Sequence, residues 1–392
     1  MTHDTWSERG LAIQPSQTLV ITARAKELRA SGRDVISLSA GEPDFPTPEA
    51  AVQAAIEVMR KGIIGYTASS GMPELRNAVA DSWSRRRGLE YAQENVLVSC
   101  GAKHSIVNLL LARVNRGDRV LIPRPYWVSY PEMVRIAGGV PVLPASEGML
   151  ITAEDVLEAA SGGACGMIFN SPANPSGMIY TYDSVSEIAR AVSETGMWVI
   201  SDDIYEDLVY TDEPPPHILD ARPDLAGSVA VVSGVSKTYS MTGWRIGFTL
   251  ADRGWTKIAG MIQAHSTSNP CTISQYAALA MVRGEAEEDR IRMLGAFRTR
   301  RDVMCSLLGE EPGLEVVEPQ GAFYVFPAIR RGGEVDTAAF CRILLEEEGL
   351  AVIPGSAFGA EGYVRLSFAA SEEDIREGVA RLRRYLSRGD LG

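Results

Sequence analysis

Lys237 stands among small and hydroxyl residues in Ser233-Gly234-Val235-Ser236-Lys237-Thr238-Tyr239-Ser240-Met241-Thr242-Gly243-Trp244-Arg245-Ile246-Gly247, just after the apolar run Val229 to Val232. Arg245 follows eight positions later. A lysine flanked by small side chains can approach a flat carbonyl compound and form a Schiff base. An arginine nearby can clamp a phosphate with its planar fork. Taken alone, the pair also reads as a surface lysine after a buried strand.

Four other segments offer chemistry. In Ser99-Cys100-Gly101-Ala102-Lys103-His104-Ser105 a strand ends in a small-residue turn and a helix begins. The free N–H groups of such a helix start suit a phosphate, although ordinary strand-to-helix turns look the same. In Asn170-Ser171-Pro172-Ala173-Asn174-Pro175-Ser176-Gly177 the prolines fix the backbone around Asn174, so its amide can be held in one direction. A turn asparagine is the alternative. In Ser201-Asp202-Asp203-Ile204-Tyr205 a carboxylate ends a buried strand and needs a partner. A cationic pyridinium nitrogen would be one; helix capping by either aspartate is the other reading. Tyr205 could reach the same ring from its edge. In Pro125-Tyr126-Trp127-Val128-Ser129-Tyr130 an aromatic residue after a strand offers a stacking surface, or serves a core. Aldehyde capture and phosphate anchoring together are what pyridoxal 5'-phosphate asks of a protein.

Positioning these loops is the task of an alternating pattern. The apolar runs Val96-Ser99, Val120-Pro123, Val140-Leu143, Gly166-Asn170, Trp198-Asp202 and Val229-Ser233 are separated by helical patterns such as Ser105-Arg113 and Ser184-Thr195. Continuous apolar strands between helices predict a parallel sheet buried on both faces, in a large domain over residues 49–290. Leu314-Val317, Gly321-Phe326, Leu350-Ile353 and Tyr363-Phe368 read as strands of a smaller α/β domain, with helices at Asp336-Glu348 and Glu372-Leu386. Ile36-Ser37-Leu38-Ser39 reads as a strand that packs with it, so residues 1–48 and 291–392 form the small domain.

Composition narrows the classes. The chain has 392 residues, 45% hydrophobic and 22% charged, with a net charge of −12. That acidity argues against a nucleic-acid face, and the basic triplet Arg85-Arg86-Arg87 is expected to offset a helix dipole. No apolar run approaches the ~20 residues needed to cross a bilayer, and the first residues lack the charged-then-apolar order of a signal peptide. Five scattered cysteines without a C-x-x-C pair fit reduced thiols in a cytoplasm. Four histidines, none spaced as metal ligands, make a zinc hydrolase improbable.

The ordered series of loops resembles the class I aminotransferases of fold type I, in particular bacterial aspartate and aspartate/prephenate aminotransferases. The resemblance runs from Gly41-Glu42-Pro43-Asp44-Phe45 through Tyr363-Val364-Arg365-Leu366-Ser367. It implies a mainly parallel seven-stranded sheet sandwiched by helices, plus a smaller α/β domain. It implies that Lys237 forms the Schiff base with pyridoxal phosphate and shuttles the proton. Asp202 would pair with the ring nitrogen, Asn174 and Tyr205 with the phenolic oxygen, and Trp127 would stack on the ring. Gly101, Ala102, Ser236 and Arg245 would surround the phosphate, with Tyr66 reaching across to a neighbouring subunit's phosphate in a two-fold homodimer. Arg365 would grip the substrate α-carboxylate, assisted by Asn174 and the backbone at Gly41.

Substrate class follows from Pro15-Ser16-Gln17-Thr18, which resembles the segment whose hydroxyls contact a distal carboxylate in that subgroup. Lys103 occupies the place of the lysine that assists there, or else supports the phosphate, and His104 beside it could reshape the pocket. The expectation is amino transfer between aspartate or glutamate and a 2-oxo acid. A lyase, cyclase or oxidase on the same scaffold is the alternative. Departures from the family pattern are Asp203 where glutamate is common, Pro172-Ala173 before Asn174, no proline in Tyr66–Gly71, and Gly234 where many relatives have serine.

Overall fold

The computed structural model describes residues 6–62, 64–144, 146, 148–330 and 335–388. In chain order the first strands are β1 (Ile36–Ser37), β2 (Val96–Ser99), β3 (Arg119–Leu121), β4 (Val140–Val142), β5 (Ala164–Asn170), β6 (Trp198–Asp202), β7 (Val229–Gly234) and β8 (Gly247–Leu250). Seven of them form one sheet in the order β2-β8-β7-β6-β5-β3-β4. Only β8 is antiparallel to its neighbours, β2 and β7; the other pairs are parallel. The mainly parallel seven-stranded sheet is therefore present; the six apolar runs match their strands to within a residue or two, and β8 is not among those runs.

Both faces are buried because alternate side chains supply each one. Leu97, Val120, Ile168, Ile200 and Val232 pack with Ile106 and Leu109 of the helix Ala102–Arg113. Val98, Leu121, Met167, Val199 and Val231 pack with Trp83 of the helix Pro73–Arg87 and Ile188 of the helix Tyr182–Thr195. Each such side chain taken fully out of water contributes about 1.5–3 kcal/mol. The helix over 182–195 starts where Thr181 accepts from Ser184 N at 3.2 Å, and it stops at Gly196 in the left-handed region.

A second core joins Ile36 and Leu38 to Leu344, Leu350, Val364, Ile375 and Leu382. β1 pairs in parallel with Leu350–Ala351. The predicted single strand over Leu350–Ile353 is two strands. Ile353–Pro354 pairs antiparallel with Val364–Ser367 instead. Pro354 has no N–H to offer, which fits its place at the edge of that three-stranded sheet. The helix Glu287–Gly309 spans residue 290 and carries Phe297, Met304 and Leu308 into this second core.

Candidate active site

Three neighbouring strands end on the same side of the sheet and deliver three predicted residues. Asn174 follows β5, Asp202 ends β6, and Lys237 follows β7. Lys237 Nζ donates to the carbonyl of Gly41 at 2.6 Å, bridging the sheet to the segment after β1. Burial is the main influence on this amine and pushes it down to about 8; Arg365 and Arg245 add to the shift, while Glu42 and Asp202 oppose it. A lysine so placed is neutral, and hence nucleophilic, at far lower pH than a free one.

Asp202 is 3% exposed. Tyr130 donates its hydroxyl to Oδ2 at 2.6 Å, and Ile204 N donates to Oδ1 at 3.3 Å. Burial pushes the carboxyl up to about 6 against those two hydrogen bonds. Among the described residues these partners are neutral donors, so the charge lacks an ion pair. No helix follows directly, and the capping role considered for the aspartates falls away. Tyr205 shares a hydrogen bond with Tyr324, oxygen to oxygen 2.9 Å.

Arg365 is 3% exposed and also lacks a carboxylate partner among the described residues. Its Nη1 donates to Asn174 Oδ1 at 3.0 Å and its Nη2 to the Ser39 carbonyl at 2.9 Å. The guanidinium lies 4.3 Å from the Tyr324 ring centre and 5.1 Å from that of Phe358. Its Nε is buried without a hydrogen-bond partner. A buried, uncompensated guanidinium with an idle donor is a receptor for an anion. Asn170 steadies the loop: its Oδ1 accepts from Asn174 N at 2.9 Å, and its Nδ2 donates to the Asp202 carbonyl at 2.7 Å.

Two glycines press Arg245 against a helix start. A Cβ on Gly101, at φ +88°, would lie 2.4 Å from Arg245 Nη2, and a Cβ on Gly247 would lie 2.2 Å from Ala102 N. Arg245 donates to the Thr242 carbonyl at 2.9 Å and the Cys100 carbonyl at 3.4 Å. Its fork therefore stands beside the first N–H groups of the helix Ala102–Arg113, which have no partners within the helix. Ser236 is buried at the end of the lysine strand. Lys103 holds its ammonium 4.8 Å from the Trp127 ring centre, and burial, then Arg245, lowers its pKa. His104 turns back on its own helix start, where Nδ1 accepts from Cys100 N at 3.3 Å.

The remaining predicted residues lie further out. The Ser16 and Thr18 hydroxyls bond each other at 2.8 Å rather than Lys103. Thr22 continues the chain, donating to the Thr18 carbonyl at 2.8 Å and meeting Ser39 Oγ at 3.4 Å. Tyr66 is 91% exposed. Sequence reasoning passed over Tyr130, Tyr324 and Ser39. Tyr130 and Tyr324 lay within quoted segments but read as ordinary strand or loop aromatics. Ser39 acts through its carbonyl, which no side-chain pattern reveals.

The sheet, the half-buried lysine and the two arginines have the layout of fold type I, and the chain belongs to the family of class I and II aminotransferases, whose model matches residues 33–382. It is 41% identical over 387 residues to an aspartate aminotransferase of Bacillus sp. (strain YM-2), covering 97% of this chain and 98% of that protein. A probable aspartate/prephenate aminotransferase of Aquifex aeolicus is 41% identical, with 95% of this chain and 96% of that protein covered. Among solved structures, the aspartate aminotransferase of Rhizobium meliloti superposes with a TM-score of 0.92 at 36% identity, covering 98% of this chain and 99% of that one. That of Thermus thermophilus with maleate gives 0.89 at 38% identity, covering 97% and 99%.

Proposed function

We propose that this aminotransferase uses pyridoxal 5'-phosphate to move an amino group between an acidic L-amino acid, aspartate or glutamate, and a 2-oxo acid, in a ping-pong cycle. One observation carries the reading: the half-buried Lys237 amine, 2.6 Å from the Gly41 carbonyl, follows the strand that lies beside the one Asp202 ends. The residues fit the cofactor. Asp202 lacks the cation that a protonated ring nitrogen would supply. Gly101, Ala102, Ser236 and Arg245 form a cradle for a phosphate, and Asn174, Tyr205 and Trp127 would hold the ring. Bound there, pyridoxal phosphate supplies an electron sink for the pair left when an α-proton departs.

The chain's own groups do the rest. Arg365 fixes the substrate α-carboxylate, and Asn174 and the Ser39 carbonyl fix Arg365. Lys237, neutral above about pH 8, accepts the α-proton and returns it later in the cycle. Lys103, Ser16 and Thr18 take the distal carboxylate, a reading that the names of the similar proteins support. Those names favour amino transfer over the lyase, cyclase or oxidase alternative.

The same proposal includes a homodimer in which the exposed Tyr66 reaches the partner's phosphate cradle. It also includes a division into residues 49–290 and residues 1–48 with 291–392, and a cytoplasmic location. No described helix is long and apolar enough to cross a membrane.

The test is an absorption spectrum of purified protein with added cofactor, titrated with aspartate, glutamate and a panel of other amino acids. Conversion of the visible band to that of the aminated cofactor, with release of oxo acid by the acidic pair, is the expected result. Absence of any visible band would overturn the role of Lys237. Release of ammonia would move the assignment to the lyase reading.

A further inference from the structure

The residue after Asp202 is also an aspartate, and strand alternation sends it the opposite way. Ile200 and Asp202 face the layer of Leu109 and Tyr130, whereas Val199, Ser201 and Asp203 face the layer of Trp83 and Leu219. Asp203 is 2% exposed. Ser201 Oγ donates to its Oδ1 at 2.6 Å, and His217 Nε2 lies 3.2 Å from its Oδ2. Nδ1 of that imidazole accepts from Leu219 N at 3.0 Å. Nε2 is therefore the ring nitrogen that faces Asp203, although neither it nor Asp203 Oδ2 completes a hydrogen bond of good geometry.

The surroundings support a charge on Asp203. Trp83 packs edge-on against His217, centroids 5.7 Å apart, and carries Arg87 5.2 Å from its ring centre. Tyr91, Tyr130, Glu206 and Asp202 are other titratable groups whose fields reach Asp203, and Arg87 itself pairs with Asp220 at 2.6 Å. Burial alone disfavours the anion, but His217, Arg87 and Ser201 outweigh it and hold the carboxyl below its ordinary range. The arginine triplet thus does more than offset a helix dipole: Arg86 also bonds Glu206 at 2.7 Å and Asp207 at 3.0 Å.

We propose that Asp203, kept ionised by His217 and Arg87, is a positioning residue whose charge behind Asp202 makes that carboxylate a stronger partner for a cationic ring nitrogen. This rests on the reading that the site takes pyridoxal phosphate. A fixed negative charge on the next residue disfavours a lone Asp202 carboxylate. The same field favours any cation or proton brought against it. Two carboxylates back to back across β6 therefore do different work: one contacts the ring, and the other sets the potential.

The experiment uses full-length protein carrying Asp203→Asn, Asp203→Glu, His217→Phe or His217→Gln. In cofactor-free protein, the ¹³C-carboxyl signal of Asp202, assigned by its loss in Asp202→Asn, should titrate about one pH unit lower in Asp203→Asn. In cofactor-loaded protein, the ¹⁵N signal of the ring nitrogen should move toward its unprotonated position. There kcat should fall about 10-fold and KM change less than about 2-fold. His217→Phe should reproduce these shifts, because an unpaired buried Asp203 takes up a proton. His217→Gln, which keeps a donor, and Asp203→Glu, which keeps the charge, should restore them. Wild-type titrations in Asp203→Asn, with only a lowered melting temperature, would overturn the inference. If Asp203→Asn fails to fold, His217→Phe against His217→Gln decides on the same readouts. If the wild type takes up no cofactor, the proposed function fails, while the cofactor-free titration still judges this inference.

Discussion

The Tyr130 hydroxyl and Asp202 Oδ2 lie 2.6 Å apart, joining the helix Ser129–Ile136 to the end of β6. The bond opposes the burial that lifts the Asp202 carboxyl from 3.8 to about 6. A raised carboxyl favours the fold in its protonated form. Its contribution is complete below about pH 4 and is lost as pH rises through about 6. Asp202→Asn should therefore gain on wild type by about 3 kcal/mol between pH 4 and pH 7 and then hold level. Urea unfolding of cofactor-free protein measures this, and a flat difference would contradict it. Tyr130→Phe should move the midpoint higher.

Lys237 is shifted the other way, from 10.5 to about 8, mainly by burial. Reductive methylation of Lys237 in cofactor-free protein, followed by mass spectrometry, should be half-maximal near pH 8. A half-maximum above pH 10 would show an exposed amine. Lys237→Ala should slow amino transfer by at least 10²–10⁴-fold, about the range that a positioned acid–base group supplies.

Arg365 serves any amino acid, because it faces the group they share. Arg365→Lys removes the fork and the bonds to Asn174 and Ser39. KM should rise about 100-fold for acidic and apolar substrates alike, the loss expected of one or two charge-assisted hydrogen bonds. A rise confined to acidic substrates would assign Arg365 to the distal carboxylate instead.

Lys103 rests on Trp127 beside the helix start, which leaves two roles open to it. If it receives the distal carboxylate, Lys103→Ala should cut kcat/KM for aspartate and glutamate by about 10–100-fold and leave alanine within about 3-fold. Ser16→Ala should act in the same direction, more weakly. An equal loss for all substrates, with weaker cofactor retention, would place Lys103 at the phosphate.

Gly101→Ala puts a Cβ 2.4 Å from Arg245 Nη2 at a backbone angle of φ +88°. The strain should lower stability by about 1–2 kcal/mol. Displacement of Arg245 should weaken cofactor retention about 10-fold or more, measured by equilibrium dialysis. Unchanged retention would separate Arg245 from the phosphate.

Local pattern carried much of this protein. The alternating apolar runs defined the strands of the buried sheet because a strand covered on both faces must be apolar throughout. The glycine before Ala102 and the prolines around Asn174 marked turns because each restricts or frees the backbone by itself. Lys237, Asp202 and Asn174 were legible because each follows such a run or turn directly.

Partnership between distant segments was decided only by the folded chain. Asn174 and Arg365 meet across 191 positions, Tyr205 and Tyr324 across 119. The split of Leu350–Ile353 depends on which strands lie on either side, and Asp203 turns from Asp202 toward His217 because the sheet separates their faces. The physical reason is that dihedral preference and hydrophobic period act over a few residues. A buried charge is satisfied by whatever packing brings within about 3 Å, and that is a property of the whole tertiary structure.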